Sequence, residues 1–221
     1  MPAGMSLAED VHLVLAVGNG QLRQGVMEIA AAALVELALR GRVGSVPDAG
    51  FFAGPIERKL IVIDASPTGV PSLDCVLRLL VEKGKPWTAY KCVRKIWRQV
   101  SWVVQEELMR MGAVSRPGKF GSTLDHLTIV DEQQHRAAVH RLDTSWLYPE
   151  NVTDPRSGAF VDLLRNAGDP FNRRQEQEQE QEQEQVIRWE WYPPELRDTI
   201  QGILEAEQLA TSAGPATGWE G

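Results

Sequence analysis

Four basic residues and a tryptophan share one face of a predicted long helix, which runs from about Thr88 to Met111 and is ended by Gly112. At about 100° of turn per residue, the cations fall at positions i, i+3, i+4 and i+7, within roughly 100° of arc. The tryptophan follows one turn later, and the full set is Lys91, Arg94, Lys95, Arg98 and Trp102. Ammonium and guanidinium groups donate hydrogen bonds to phosphate oxygens, and an indole ring favours the boundary between lipid and water. The spacing therefore indicates a surface that binds an anionic headgroup.

The opposite face of this helix is apolar, which gives the charges a second interpretation. The apolar positions are Val93, Ile96, Trp97, Val100, Val103, Val104, Leu108 and Met111. A core helix with such a face needs charged residues on its outer side, and Trp102 would then be covered by a neighbouring element. The spacing alone leaves both interpretations open.

The familiar signatures of catalysis and of metal binding are missing from the sequence. The chain contains no G-x-S-x-G, G-x-x-x-x-G-K, H-E-x-x-H or G-x-G-x-x-G motif. The richest cluster of possible metal ligands consists of His126, His135 and His140 with Asp131 and Glu132. Its last two histidines lie five residues apart and would not share a helix face. We expect a protein that is not an enzyme and holds no metal or other cofactor.

The composition is that of a soluble globular protein. Hydrophobic residues make up 43% and charged residues 24% of 221 residues, enough for one large domain or two small ones. The net charge of −7 argues against nucleic acid as a partner of the whole surface. Cys75 and Cys92 lie in apolar helical patterns and indicate buried thiols in a reducing cytoplasm. With no signal peptide pattern and no transmembrane segment, we expect any membrane contact to be peripheral, on the inner face.

A second helix, from about Val26 to Arg40, is predicted to be the centre of the fold. It is rich in alanine and leucine and apolar around most of its circumference, which is typical of a buried helix. Gly41 is placed to end it in a left-handed conformation. Glu36 and Arg40 are spaced for an ion pair along the helix.

Shorter patterns complete the expected order of elements. Two turn-like signals come early, a capping box at Ser6–Glu9 and a turn at Gly18–Gly20. The expected extended elements are a strand over Lys59–Asp64, which pairs with the segment after Gly41, and a hairpin within Gly112–Val130. The expected helices start at Leu73 (capped by Ser72), span Ser157–Asn166 and start at Pro194, while His135–Tyr148 is ambiguous. Phe51 and Phe52 are expected to fold back onto the core. The Gln/Glu repeat at 175–185 is expected to be a solvated insertion, and residues 211–221 a disordered tail.

Several stretches together resemble the Golgi phosphoprotein 3 family, in particular its bacterial branch. They are M-S-L-A-E-D at 5–10, E-L-A-L-R-G-R at 36–42, K-L-I-V-I-D with S-P-T-G-V-P-S-L-D at 59–74, E-E-L-M-R-M-G-A-V at 106–114 and D-P-R-S-G-A-F-V-D-L-L at 154–164. The resemblance covers most of residues 5–166 and, more loosely, the last helix. It implies a mainly α fold, with a single domain over residues 1–210 that has a buried helical bundle, outer amphipathic helices and a small β-hairpin.

The resemblance also implies a function. Eukaryotic members of the family bind phosphatidylinositol 4-phosphate at Golgi membranes and act as non-enzymatic adaptors for glycosyltransferase tails. Their headgroup site uses a tryptophan and an arginine near the central helix, and two basic residues on the long helix. By alignment, these positions are Gln21, Ala30, Arg98 and Ser101, of which Arg98 alone keeps the family's residue type.

We therefore expect a shifted headgroup site, in which Arg94 and Lys95 add charge to Arg98 and Trp102 replaces the lost aromatic residue. The leading hypothesis is a cytoplasmic, peripheral adaptor that binds an anionic phospholipid or phosphoinositide headgroup. The first alternative is a soluble helical scaffold that keeps the fold and works through protein partners. A DNA regulator that uses Gly112–Val130 as a wing is a further alternative, poorly supported by the charge.

Overall fold

Seven α-helices and five short strands form the described part of the chain, which a computed structural model gives as residues 5–15, 26–46, 57–116, 127–166 and 188–213. In chain order they are α1 (Leu7–Leu15), α2 (Val26–Leu39), β1 (Val43–Val46), β2 (Lys59–Val62), α3 (Pro71–Glu82), β3 (Trp87–Thr88), α4 (Ala89–Arg110), β4 (Val114–Ser115), β5 (Thr128–Ile129), α5 (Glu132–Leu147), α6 (Pro155–Asn166) and α7 (Pro194–Ser212). Short 3-10 turns lie at Pro149–Asn151 and Trp189–Trp191. The predicted mainly α fold is confirmed.

Helix α2 lies at the centre of the bundle. Every residue from Ile29 to Ala38 is buried, and α1, α3, α4, α6 and α7 all pack against it. Its C-terminus has the predicted cap: Gly41 takes φ +68°, and its N–H donates to the carbonyl of Ala38 at 2.9 Å. The Arg42 N–H donates to the carbonyl of Leu37 at 2.9 Å, which completes a Schellman motif. The prediction of a buried central helix is confirmed.

The capping box that precedes α1 is also present. The Ser6 N–H donates to Oε2 of Glu9 at 2.7 Å, and the Glu9 N–H donates to Oγ of Ser6 at 3.3 Å. Each residue thus satisfies a backbone donor that the first turn of a helix leaves free.

A three-stranded antiparallel sheet, in the order β1-β2-β3, fixes the start of α4. Strand β1 pairs with β2 in the register Val43 to Val62, which confirms the predicted pairing after Gly41. Strand β3 pairs with β2 and continues directly into α4. Thr88 ends the strand and caps the helix, because its Oγ1 accepts from the Lys91 N–H at 3.3 Å. The sheet therefore fixes the position of the first turn of α4, which carries Lys91, the first of its cations.

A second antiparallel pair, β4 and β5, follows α4. Gly112 ends the helix region with φ +74°, as the sequence predicts. Val114 pairs with Ile129 and Ser115 with Thr128, so the two predicted extended runs do pair as short strands. The turn expected around Arg116–Lys119 lies mostly outside the described ranges.

Two local interpretations change in the structure. Ser72 is not the cap of α3: the helix begins at Pro71, and Ser72 is buried in its first turn. Asp74 organises this turn instead, because its Oδ1 accepts from the N–H of Thr68 at 2.6 Å and from Oγ1 of Thr68 at 2.7 Å. The ambiguous stretch from His135 lies within α5, whose N-cap is Asp131.

Some predictions concern residues outside the described ranges. They are the turn at 18–20, the Phe51 and Phe52 loop, the Gln/Glu repeat at 175–185 and residues 214–221 of the expected tail. Cys75 and Cys92 are described, and both are free, buried thiols as expected. Burial raises the pKa of the Cys92 thiol to about 12.

Candidate functional site

Helix α4 has the two faces that its sequence predicts. Toward the bundle it buries Val93, Ile96, Val100, Val104 and Leu108. Toward solvent, Lys91, Lys95 and Arg98 are exposed and Arg94 is half-buried. The first half of α4 therefore presents its four predicted cations together on one surface.

Aromatic rings are the neighbours of three of these four cations. The Arg98 guanidinium lies 5.0 Å from the centroid of the Trp97 ring. Arg94 donates through Nη1 to the Tyr90 hydroxyl at 2.7 Å and lies 5.5 Å from its ring centroid. Among the described residues, none of the four cations is in an ion pair. A cation above an aromatic face keeps its full charge, so this surface is positive.

The positive surface continues into the turn between α3 and α4. The Nζ atoms of Lys83 and Lys91 lie 5.5 Å and 5.9 Å from the centroid of the Trp87 ring. Lys85 in the same turn is exposed. We call the set Lys83, Lys85, Lys91, Arg94, Lys95 and Arg98 the α4 basic surface. The sequence carries a signal for the two added lysines, because residues 83–105 contain six basic residues and no acidic one.

Trp102 lies beside a cation that comes from outside α4. Its ring is 47% exposed, but the Arg116 guanidinium lies 4.9 Å from its centroid. Arg116 follows β4, and it also lies 3.8 Å from a carboxylate oxygen of Glu106 and 3.5 Å from Oε1 of Gln105. Gln105 is fully buried although it lies in line with the cations. Arg116 therefore lies over Trp102, and the row of exposed cations on α4 ends at Arg98.

Two of the positions that align with the family's headgroup site are buried away from this surface. Ser101 and Ala30 are both fully buried. Ser101 lies at the flank of the apolar face of α4, about 60° from Arg98 around the helix. Gln21 lies outside the described ranges. Of the aligned positions that the structure describes, Arg98 is the exposed one.

The histidine cluster does not assemble into a metal site in the described ranges. No group of three or more His, Cys, Asp or Glu side chains there is arranged to hold a metal ion. Asp131 is used as the N-cap of α5, where Oδ1 accepts from the N–H groups of Gln133 and Gln134 at 2.9 Å and 3.0 Å. His140 is exposed on α5, and His126 lies outside the described ranges.

Comparison with known proteins agrees with this fold. The family model described as Golgi phosphoprotein 3 (GPP34) matches residues 7–203. The chain therefore belongs to the Golgi phosphoprotein 3 family. A search of the curated proteins finds no match. Within the described ranges, no helix has both the length and the apolar composition needed to cross a bilayer.

Proposed function

We propose that this chain is a non-enzymatic adaptor that lies peripherally on the cytoplasmic face of a membrane and binds an anionic phospholipid or phosphoinositide headgroup. The α4 basic surface is the contact. One observation carries the proposal: six cations and no acidic residue fall within residues 83–105 of a chain whose net charge is −7. A charge so unevenly distributed gives one face of the molecule a positive potential.

The rings beneath the cations favour a lipid surface over a nucleic acid. Trp87, Tyr90 and Trp97 are half-buried and lie under Lys91, Arg94 and Arg98 respectively. Amphipathic rings are suited to the headgroup layer, where one edge meets acyl chains and the other meets water. The acidic remainder of the chain would be repelled by the phosphates of a long nucleic acid.

A soluble scaffold that works through protein partners is the second candidate. The favouring observation is the loss of charge at the family's aligned positions. Ala30 and Ser101 are buried and neutral, so they add nothing to headgroup binding. If the scaffold reading holds, the α4 basic surface serves solubility alone.

Liposome co-sedimentation separates the two candidates. The vesicles contain phosphatidylcholine alone, phosphatidylcholine with phosphatidylserine, or phosphatidylcholine with phosphatidylinositol 4-phosphate at matched surface charge. The test variant is Lys91→Ala/Lys95→Ala/Arg98→Ala. The control variant removes three exposed arginines elsewhere, as Arg78→Ala/Arg110→Ala/Arg136→Ala, whose side chains are 67%, 70% and 76% exposed.

The test and control variants should differ in their affinity for anionic vesicles. Because each basic residue near an anionic membrane contributes about 1 kcal/mol, the test variant should bind roughly 100-fold more weakly at low salt. The control variant, with the same change in net charge, should lose much less. Equal losses in both variants, or no binding of the native protein to any anionic vesicle, would support the scaffold. Stronger binding to phosphatidylinositol 4-phosphate than to phosphatidylserine at equal charge identifies the phosphoinositide as the preferred headgroup.

A further inference from the structure

A groove separate from the α4 basic surface lies where α2 ends and α6 begins. It has a volume of about 390 Å³ and is lined by Met5, Glu36, Leu39, Arg40 and Arg156. Its size is at the lower end of the range for sites that bind small organic molecules. Two arginines and two apolar side chains therefore face one open space.

The carboxylates near this groove are already occupied by donors. Glu36 accepts from Nη2 of Arg40 through Oε1 and from the Leu7 N–H through Oε2, the latter at 2.6 Å. Asp10, which is fully buried, accepts from Arg141 through Oδ1 and from Nη2 of Arg156 through Oδ2, the latter at 2.7 Å. Glu9 accepts from the Ser6 N–H through Oε2 at 2.7 Å.

Each of the two arginines of the groove has hydrogen-bond donors that its described contacts do not use. Arg40 uses Nη2 alone, for Glu36. Arg156 also uses Nη2 alone, for Asp10 and for the carbonyl of Met5, both at 2.7 Å. Among the described residues, Nε and Nη1 of either arginine have no partner. Their side chains are 38% and 35% exposed, and both line the groove.

We propose that this groove binds an aliphatic carboxylate. A carboxylate accepts from guanidinium donors in the forked geometry that arginine presents. A phosphate ion lacks an alkyl group that the apolar side chains of the groove could contact. Met5 and Leu39 lie beside the arginines and give an alkyl group apolar contacts. The carboxylate can belong to a fatty acid or to the C-terminal residue of a peptide, because both combine these two groups.

Chemical-shift perturbation of the full-length protein tests the site, with sodium hexanoate, N-acetyl-leucine and inorganic phosphate as probes. We expect saturable shifts of the backbone amides of Leu39, Arg40 and Arg156 with one or both carboxylates, and weaker effects of phosphate. The carboxylate that binds more tightly identifies the source as a fatty acid or a peptide C-terminus. No saturable shifts with either carboxylate, or a stronger response to phosphate, would overturn the proposal.

Variants of Arg40 separate recognition from folding. Arg40→Gln should weaken carboxylate binding about tenfold or more, since a charge-assisted hydrogen bond is lost. Arg40→Lys keeps the charge without the fork and should bind with intermediate affinity. The control is Arg136→Gln, because Arg136 also pairs with a glutamate four residues earlier but lies on α5. Unchanged binding in Arg40→Gln, with circular dichroism showing a native fold, would contradict the assignment. The α4 basic surface is untouched by these variants, so liposome binding should not change.

Discussion

The free energy of unfolding of the native protein should fall between about pH 6.5 and about pH 8, and replacement of Glu28 by glutamine should abolish most of that fall. Glu28 lies on α2 and is fully buried. Its burial, and then the nearby carboxylate of Glu207 on α7, raise the pKa of Glu28 from 4.5 to about 8. Glu207 is fully buried as well and accepts from Oγ1 of Thr211 at 2.9 Å. Two buried carboxyl groups therefore share one part of the core, and Glu28 keeps its proton near neutral pH.

The sign of the effect follows from this proton. Between the two pKa values the folded protein holds a proton that the unfolded chain has released, so the free energy of unfolding falls as the pH rises. The fall is about 1.4 kcal/mol per pH unit. Below pH 6.5 this fall is offset by His12. Burial lowers the pKa of His12 from 6.5 to about 4, so between these two values His12 takes up a proton in the unfolded chain but not in the folded protein. Above about pH 6.5 the contribution of Glu28 is not offset, and it reaches about 2 kcal/mol at about pH 8.

Urea denaturation followed by circular dichroism at several pH values measures this slope. Glu28→Gln has the same shape as the protonated glutamic acid and cannot ionise, so its stability should be nearly constant from about pH 6.5 to about pH 8. Glu132→Gln on α5 is the control, because that glutamate is 72% exposed and should leave the native slope unchanged. A Glu28→Gln variant that loses as much stability as the native protein over this range would refute the reasoning.

Two further substitutions test the packing and the buried charge. In Gly158→Ala, the new Cβ would lie 2.7 Å from Cε3 of Trp191, so we expect a loss of about 1–3 kcal/mol, and a rise in the melting temperature would contradict it. In Asp10→Asn, Arg141 and Arg156 lose the carboxylate between them. Because both arginines are partly exposed, we expect a loss of about 2–3 kcal/mol in urea denaturation, whereas a change below about 0.5 kcal/mol would show that the pair contributes little.

Features encoded by neighbouring residues could be predicted from the sequence. The capping box at Ser6 and Glu9, the glycine that ends α2 and the two faces of α4 each depend on spacings of three or four residues. Periodicity and caps specify such elements directly. The four cations that α4 contributes to the candidate site could be predicted for the same reason, since one helix carries these four.

Features that depend on distant residues could not be predicted in this way. Asp10 binds arginines that are 131 and 146 residues away, and no local pattern connects them. The contact of Trp102 with Arg116 could not be predicted either, because Arg116 follows β4 and the two residues share no local sequence pattern. Ser72 has the residue type of a helix cap, but the Thr68–Asp74 hydrogen bonds fix that turn instead. Tertiary contacts decided these cases.

The arrangement of Arg116 over Trp102 has a consequence for how this fold can diverge. One residue after β4, Arg116, covers part of α4 beyond Arg98. Substitutions at Arg116 can therefore change how far Trp102 is exposed while the buried face of α4, and with it the bundle, stays the same. On α4 the outer cations and the buried apolar residues are different side chains of one helix, so the charge of this surface can change at little cost to the packing of the bundle.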